Sequence, residues 1–406
     1  LVDKTDGARI LIYSHDTFGL GHLRRCRAIA HGLVERYKQL TVLILSGSPI
    51  IGSFDFRARV DFVRIPGVIK LRNGDYTSLG LHIDLEHTLA IRSSIIQHTA
   101  EVFDPDLFLV DKEPTGLRGE VADTLSFLHK RGTVNVLGIR DILDDAESLA
   151  LEWERKNVEP TLVNDYDEIW VYGLAAIADP LEGVSLPESV RSKMRYTGYL
   201  RRDVPDLPNN PGSQVPEGDY LLVTPGGGGD GEKIVDWVLR AYEDAKDRLT
   251  IPVVIVLGPF MQAETRIAFE QRGEKLDAVQ IMTFHSHFEL LMADARAVVA
   301  MGGYNTFCEI LSFDKPALIV PRTTPRLEQH IRASKAVELG LVAMIDGQRS
   351  EDTEAMVTAL LSLLKQPAPS SAGIDRLLDG IDVMTDMVGE AIARRRGENI
   401  IVSRSG

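Results

Sequence analysis

Ala297-Val298-Val299-Ala300-Met301-Gly302-Gly303-Tyr304-Asn305-Thr306-Phe307-Cys308-Glu309 says more about the architecture than any other segment of this chain. A short continuous apolar run bounded by glycine reads as a strand buried on both faces, the kind found in parallel sheets covered by helices. The glycine pair ends the strand, and Thr306 to Phe313 reads as a helix with Thr306 at its cap. Strand, glycine turn and helix form the repeating unit of an open parallel sheet, whose ligands lie beyond the carboxyl ends of the strands. Glu309, one turn into the helix, is an odd choice for burial unless it accepts from hydroxyl groups. Anion-facing donors at the helix start beside one acceptor suit a diphosphate next to a ribose diol.

The same alternation extends in both directions. Upstream and downstream lie strands at Tyr220 to Val223, Val253 to Leu257, Val279 to Met282, Ala317 to Val320 and Ala343 to Ile345. Helices at Lys233 to Lys246, Phe288 to Ala293 and Glu328 to Leu339 separate them. The first half repeats the pattern, with strands at Ile10 to Tyr13, Leu40 to Leu45, Asp61 to Ile65, Leu107 to Val110, Val134 to Gly138 and Glu168 to Val171. Its helices fall at Leu23 to Tyr37, Leu85 to Phe103 and Leu117 to His129. Between the halves, Asp203 to Gly218 holds four prolines and few apolar residues, as a linker does. The chain therefore divides into residues 1–202, a linker at 203–218, residues 219–373, and a helical tail at 374–406 positioned to pack back on the first half. The fold class is α/β, with two Rossmann-like doubly wound domains facing across a cleft.

A chain of 406 residues exceeds one ordinary core, and 44% hydrophobic with 26% charged residues is the composition of a folded cytoplasmic protein. The net charge of −14 argues against nucleic acid as a partner, because phosphate backbones require a basic surface. Cys26 and Cys308 lack disulfide or metal-ligand spacing and read as small buried residues. The polar start shows no signal peptide, and no apolar run approaches the ~20 residues of a membrane helix. Peripheral contact with the inner face of a membrane stays open.

Two further glycine loops follow strands. Gly19-Leu20-Gly21-His22-Leu23-Arg24-Arg25 lies between strand and helix, so backbone N–H groups face an anion and His22 stands where it could accept a proton. A tight turn with an exposed histidine is the plainer alternative. Thr224-Pro225-Gly226-Gly227-Gly228-Gly229-Asp230-Gly231 costs much chain entropy, which backbone packed against phosphate oxygens explains better than a loose surface loop. It lacks the Lys-Ser/Thr of a P-loop, which argues against an ATPase.

The segment running from Phe284-His285-Ser286-His287-Phe288-Glu289 through Gly303 to Glu309 and on to Glu328-Gln329 resembles the donor-binding domain of family 28 glycosyltransferases. The resemblance implies the glycosyltransferase B fold, a nucleotide-sugar donor with uridine as its base, inversion at the anomeric carbon, and no cofactor or metal. It implies that His285 meets the base through its backbone beside Phe288. Thr306 would lie near the phosphates, Glu309 on the ribose, and Glu328 and Gln329 on the sugar, with Gly303 and Asn305 also among the donor-binding residues. Glu328 departs from the family's Gln-Gln pair. Gly226, Gly227, Gly228 and Gly229 match the family's phosphate loop, and Arg201, with Arg202 as fallback, matches an arginine before the linker. The first-half loop, with Gly19, Gly21, His22 and Arg25 on the acceptor side, is similar to that family's Gly-Gly-His turn. It is also similar to the nucleotide-sugar hydrolase of pseudaminic acid synthesis, which makes hydrolysis or epimerisation the alternative to transfer.

His22 and Glu113 are the candidate catalytic residues, Glu113 because Lys112-Glu113-Pro114 follows a strand end. The acidic pairs Asp104/Asp106 and Asp165/Asp167 could suggest metal dependence, but each abuts a strand start and reads as a solvated turn. Arg394-Arg395-Arg396 reads as a solvated helix end, with an anionic membrane surface as its other use. The acceptor would be a glycan, a lipid-linked molecule or a small molecule bearing a hydroxyl group.

Overall fold

The computed structural model describes residues 7–15, 21–70, 75–204, 218–227, 229–285 and 288–397, with Lys70 described for its backbone alone. Two compact units emerge, one from residues 1–200 together with 379–406 and one from residues 201–378. Most of the proline-rich linker, residues 205–217, lies outside the described residues.

In the first unit the chain runs β1 (Arg9–Ser14), α1 (Gly21–Arg36), β2 (Thr41–Ser46), β3 (Val60–Arg64), a hairpin of β4 (Val68–Lys70) and β5 (Tyr76–Ser78), then α2 (Leu85–Phe103). It continues through β6 (Leu107–Asp111), α3 (Ala122–Lys130), β7 (Val134–Arg140), α4 (Ala146–Arg155), α5 (Glu159–Asn164), β8 (Glu168–Tyr172), α6 (Glu188–Arg191) and β9 (Met194–Tyr196). The sheet has seven parallel strands in the order β3-β2-β1-β6-β7-β8-β9. Its central strands are apolar because both faces are covered: Ile10 to Tyr13 and Leu107 to Val110 are essentially without solvent contact.

The second unit contains β10 (Leu221–Thr224), α7 (Glu232–Asp244), β11 (Val253–Val256), α8 (Ala263–Gly273), β12 (Val279–Met282), α9 (Phe288–Asp294) and β13 (Ala297–Ala300). There follow α10 (Tyr304–Ser312), β14 (Ala317–Ile319), α11 (Glu328–Glu338), β15 (Ala343–Met344) and α12 (Thr353–Leu363). Six parallel strands are ordered β12-β11-β10-β13-β14-β15. Helix α7 seals one face with Val235, Trp237, Val238 and Tyr242, each large side chain adding about 1.5–3 kcal/mol of burial.

The last helix, α13 (Gly380–Arg395), belongs to the first unit and packs on α1. Gly32 leaves room for Ile381, and Gly389 leaves room for the Tyr37 hydroxyl, which donates to the Thr385 carbonyl at 2.8 Å. The arginine run at its end is not a bare solvated terminus. Arg394 pairs with Glu168, Arg395 with Asp106 at 2.8 Å, and Arg396 with Asp106 at 3.6 Å. Asp104 and Asp106 likewise serve as ion-pair partners, Asp104 holding Arg9 and Arg131. Among the described residues, no helix is long and apolar enough to cross a membrane.

Two local expectations change. The helix expected from Leu117 to His129 is broken, because Arg118 (φ 49°) and Gly119 (φ 89°) take positive-φ backbone within the single turn Leu117–Gly119 that precedes α3. Helix α10 starts at Tyr304 with Gly303 as its cap residue, so Thr306 sits inside the first turn rather than at the cap.

Candidate active site

Both sheets reverse direction beside their first strand: β2 and β6 flank β1, and β11 and β13 flank β10. The loops after the strands on either side of such a reversal diverge and leave a crevice at their carboxyl ends, where ligands bind. Each unit places its candidate residues there.

In the first unit, His22 stands in the first turn of α1 and Asp111 closes β6, one residue past the Tyr13–Val110 pairing. His22 Nδ1 lies 2.5 Å from Asp111 Oδ2. Arg25, one turn along α1, holds the same carboxylate with two N–H bonds, Nε to Oδ1 at 2.8 Å and Nη2 to Oδ2 at 2.7 Å. Arg25 Nη2 is also 3.0 Å from His22 Nδ1, but the shorter carboxylate contact makes Nδ1 a donor. That fixes the tautomer and leaves Nε2 as the basic nitrogen of a side chain that is 20% exposed.

Burial lowers the His22 pKa, against the opposing pull of Asp111, so the imidazole is neutral at neutral pH. Burial opposes ionisation of Asp111, yet Arg25 and His22 outweigh it and hold the carboxyl well below the usual carboxylate range. Behind this dyad, the ring of His15 meets that of His22 nearly perpendicularly at 5.7 Å. Tyr13 donates to Glu120, which forms a buried two-bond pair with Arg92 at 2.5 and 2.6 Å.

Glu113 does not join the dyad. It is buried and bridged to Lys156 at 2.6 Å and Lys112 at 3.2 Å, and these charges overcome its burial and depress its pKa. Lys112 turns the chain with φ at 71°, so Asp111 and Glu113 leave the strand in different directions. Arg25, expected to face the acceptor from the loop, is instead a buried helical residue spent on Asp111. Gly19 lies outside the described residues, and Gly21 opens α1.

In the second unit, the loop after β10 folds back on Gly258. A side chain there would meet the Gly226 carbonyl at 2.6 Å, and Phe260 donates its N–H to the Gly227 carbonyl at 3.0 Å. Gly226 has φ at 81°, Gly229 is exposed, and Gly228 lies outside the described residues. Among the described residues, no side chain caps α7 or α10, and helix starts of that kind favour an anion. Gly302 turns at φ 79° after β13, and its carbonyl accepts from the fully buried Arg332 at 3.1 Å.

Asn305 accepts from Arg202 Nη2 at 2.9 Å, and the Arg202 backbone N–H donates to Ser312 at 2.9 Å. Arg201 is exposed, so the fallback arginine, Arg202, is the one docked on α10. Glu309 is fully buried on α10, His285 is 6% exposed, and Phe288 is half-buried at the start of α9. Glu328 and Gln329 are both buried in the first turn of α11, and both bond to Arg322.

Asp111, Arg322 and Arg332 are absent from the candidates that the sequence suggests. Asp111 has one legible signal, a carboxylate closing the apolar run Leu107 to Val110.

Residues 221–374 match the glycosyltransferase family 28 C-terminal domain. A UDP-N-acetylglucosamine--N-acetylmuramyl-(pentapeptide) pyrophosphoryl-undecaprenol N-acetylglucosamine transferase of Methylorubrum populi is 25% identical over 220 residues, covering 51% of this chain and 58% of that protein. Among solved structures, the glycotransferase of kitacinnamycin superposes with a TM-score of 0.63 at 13% identity, over 96% of this chain and 99% of that one. MurG of Acinetobacter baumannii gives 0.58 at 12% identity, over 95% and 99%. At such identity the likeness is one of fold: the chain has the two-domain α/β glycosyltransferase B fold. The family 28 C-terminal domain match falls, more particularly, within its second unit.

Proposed function

We propose that this chain is a glycosyltransferase that moves a sugar from a nucleoside diphosphate donor, most simply a UDP-sugar, to an acceptor hydroxyl. The observation that carries the reading is the His22–Asp111 dyad, a neutral imidazole oriented by a clamped carboxylate. Such a base removes the acceptor proton as the hydroxyl attacks the anomeric carbon. Attack from the face opposite the leaving group inverts that centre.

The donor belongs to the second unit. Charge develops on the departing diphosphate, and the reading gives its stabilisation to the N-termini of α7 and α10 and to Arg202, without a divalent cation. Glu309 is assigned the ribose hydroxyls, and Glu328 and Gln329 the sugar. The Methylorubrum populi relative is named for a UDP-N-acetylglucosamine donor and an undecaprenol-linked acceptor, which makes UDP-N-acetylglucosamine the first donor to try and a lipid-linked hydroxyl the first acceptor.

The test is calorimetric titration of UDP, dTDP, GDP and ADP into the protein and into Glu309→Ala. Micromolar binding of one nucleotide, weakened about tenfold or more in the variant (~1.4 kcal/mol), supports the donor site. Binding of none refutes the function. With a binding nucleotide in hand, sugar transfer that survives in His22→Ala refutes the role of the dyad.

A further inference from the structure

The glycine loop contains a carboxylate, which a phosphate-binding loop should avoid. Asp230 stands two residues before α7, beside a helix start that favours an anion. A bound diphosphate there would meet it as a like charge.

The structure gives Asp230 a partner from elsewhere in the unit. Arg322 follows β14 after Val320 and Pro321, and donates through Nη1 to Asp230 Oδ2 at 2.6 Å. Through Nη2 it donates to Glu328 Oε1 at 2.8 Å, and its backbone N–H reaches Gln329 Oε1 at 3.1 Å. Its Nε is buried and, among the described residues, has no hydrogen-bond partner. The two carboxylates differ in setting: the Asp230 side chain is 44% exposed and Glu328 only 4%. Glu328 is therefore the fixed end of the bridge, and Asp230 is the end that water and ligands can reach. Burial works against the Arg322 charge, but Glu328 and Asp230 together more than restore it.

We propose that Arg322 is a specificity-determining contact to the donor diphosphate, and that Asp230 holds its place while the site is empty. Binding exchanges one ion pair for another. The diphosphate takes Arg322 Nη1 from Asp230, the carboxylate turns to water, and Glu328 keeps the guanidinium aimed at the loop. A planar fork suits this task, because it can hold one carboxylate while trading the other for a phosphate oxygen. A nucleoside monophosphate lacks the second phosphoryl group and gains less from the exchange. The proposal rests on the donor reading above and adds a residue to it.

The experiment is titration of UDP and UMP, with dTDP, GDP and ADP in parallel, into the wild-type chain and into Asp230→Asn, Arg322→Lys and Arg322→Ala. Circular dichroism confirms the fold of each. Asp230→Asn removes a competitor and should tighten the diphosphate about two- to fivefold, the scale of a partly exposed ion pair. Arg322→Ala should weaken it about tenfold or more while changing UMP far less, with Arg322→Lys between the two because it keeps charge without the fork. Arg322 variants within twofold of wild type, or an Asp230→Asn that fails to tighten the diphosphate, overturn the proposal. Should the wild-type chain bind none of the nucleotides, the donor reading itself falls and takes the proposal with it, a result distinct from variants that match a binding wild type.

Discussion

Replacing Asp111 by asparagine should all but abolish transfer while leaving the nucleotide site intact. The carboxylate accepts three N–H bonds, two from Arg25 and one from His22. An amide of the same shape has one acceptor oxygen: in place of Oδ1 its NH2 faces Arg25 Nε alone, and in place of Oδ2 it faces both Arg25 Nη2 and His22 Nδ1. One donor-against-donor contact with Arg25 arises either way, and only the second orientation offers the NH2 an acceptor, so it turns to His22 Nδ1. The imidazole must then accept at Nδ1 and carry its proton on Nε2, which disarms the base. The equivalent change in a Ser-His-Asp triad lowers kcat about 10⁴-fold, and a loss of about 10³ to 10⁴ corresponds to roughly 4–5.5 kcal/mol of transition-state stabilisation. Arg25 also loses its counter-charge while buried, which costs up to about 3–5 kcal/mol of stability. The two effects separate experimentally: urea denaturation reports the second, and nitrogen NMR of His22 near neutral pH reports the first. Wild type should show Nδ1 protonated and Nε2 bare, and Asp111→Asn the reverse. A folded variant whose His22 keeps the wild-type tautomer, or which retains more than a tenth of the turnover, refutes this account of the dyad.

Other outcomes follow from the same geometry. Arg202→Ala should weaken the bound nucleotide about tenfold, whereas Arg201→Ala changes it less than twofold, because only Arg202 is docked on α10; equal losses in calorimetry would contradict that assignment. Gly258→Ala forces a methyl group against the Gly226 carbonyl at φ 90° and should displace the phosphate loop, seen as weaker nucleotide binding with a lowered melting temperature. Asp111 and Glu113 have folded-state pKa values below their ordinary ones, so their contribution to stability is complete above about pH 5 and is lost as pH falls. Acid denaturation should accordingly flatten in Asp111→Asn relative to wild type.

The central strands were legible because they are apolar runs covered on both faces, and a run such as Ala297 to Ala300 has few other uses, whereas the part-exposed edge strand β9 and the β4–β5 hairpin give no such signal. Helices were less so. α8 shows only Phe269 and Gly273 buried out of eleven residues, too weak a stripe to announce a helix. α12 buries Met356, Val357, Leu360 and Leu363, a helical spacing that lies beyond the last strand and away from any glycine loop that would draw notice to it. The break before α3 was hidden, since Arg118 in left-handed backbone has no sequence signature beyond the glycine that follows it.

The two halves of the candidate site differ in how far the sequence exposes them, and the reason is topological. In the second unit the loops that meet phosphate are runs of glycine, so composition alone marks them. In the first unit the decisive pair is separated by 89 positions, and neither partner is unusual alone. Only the strand order brings them together. β1 and β6 are neighbours on either side of the reversal, so the start of α1 and the last residue of β6 must open onto the same crevice. Glu113, two residues beyond Asp111, carries the same chemistry but has left the strand through the strained Lys112, where two lysines neutralise it. A carboxylate that ends a central strand is held by the sheet to one position. One that follows it in the turn can swing to whatever cation lies nearby, as Glu113 has done.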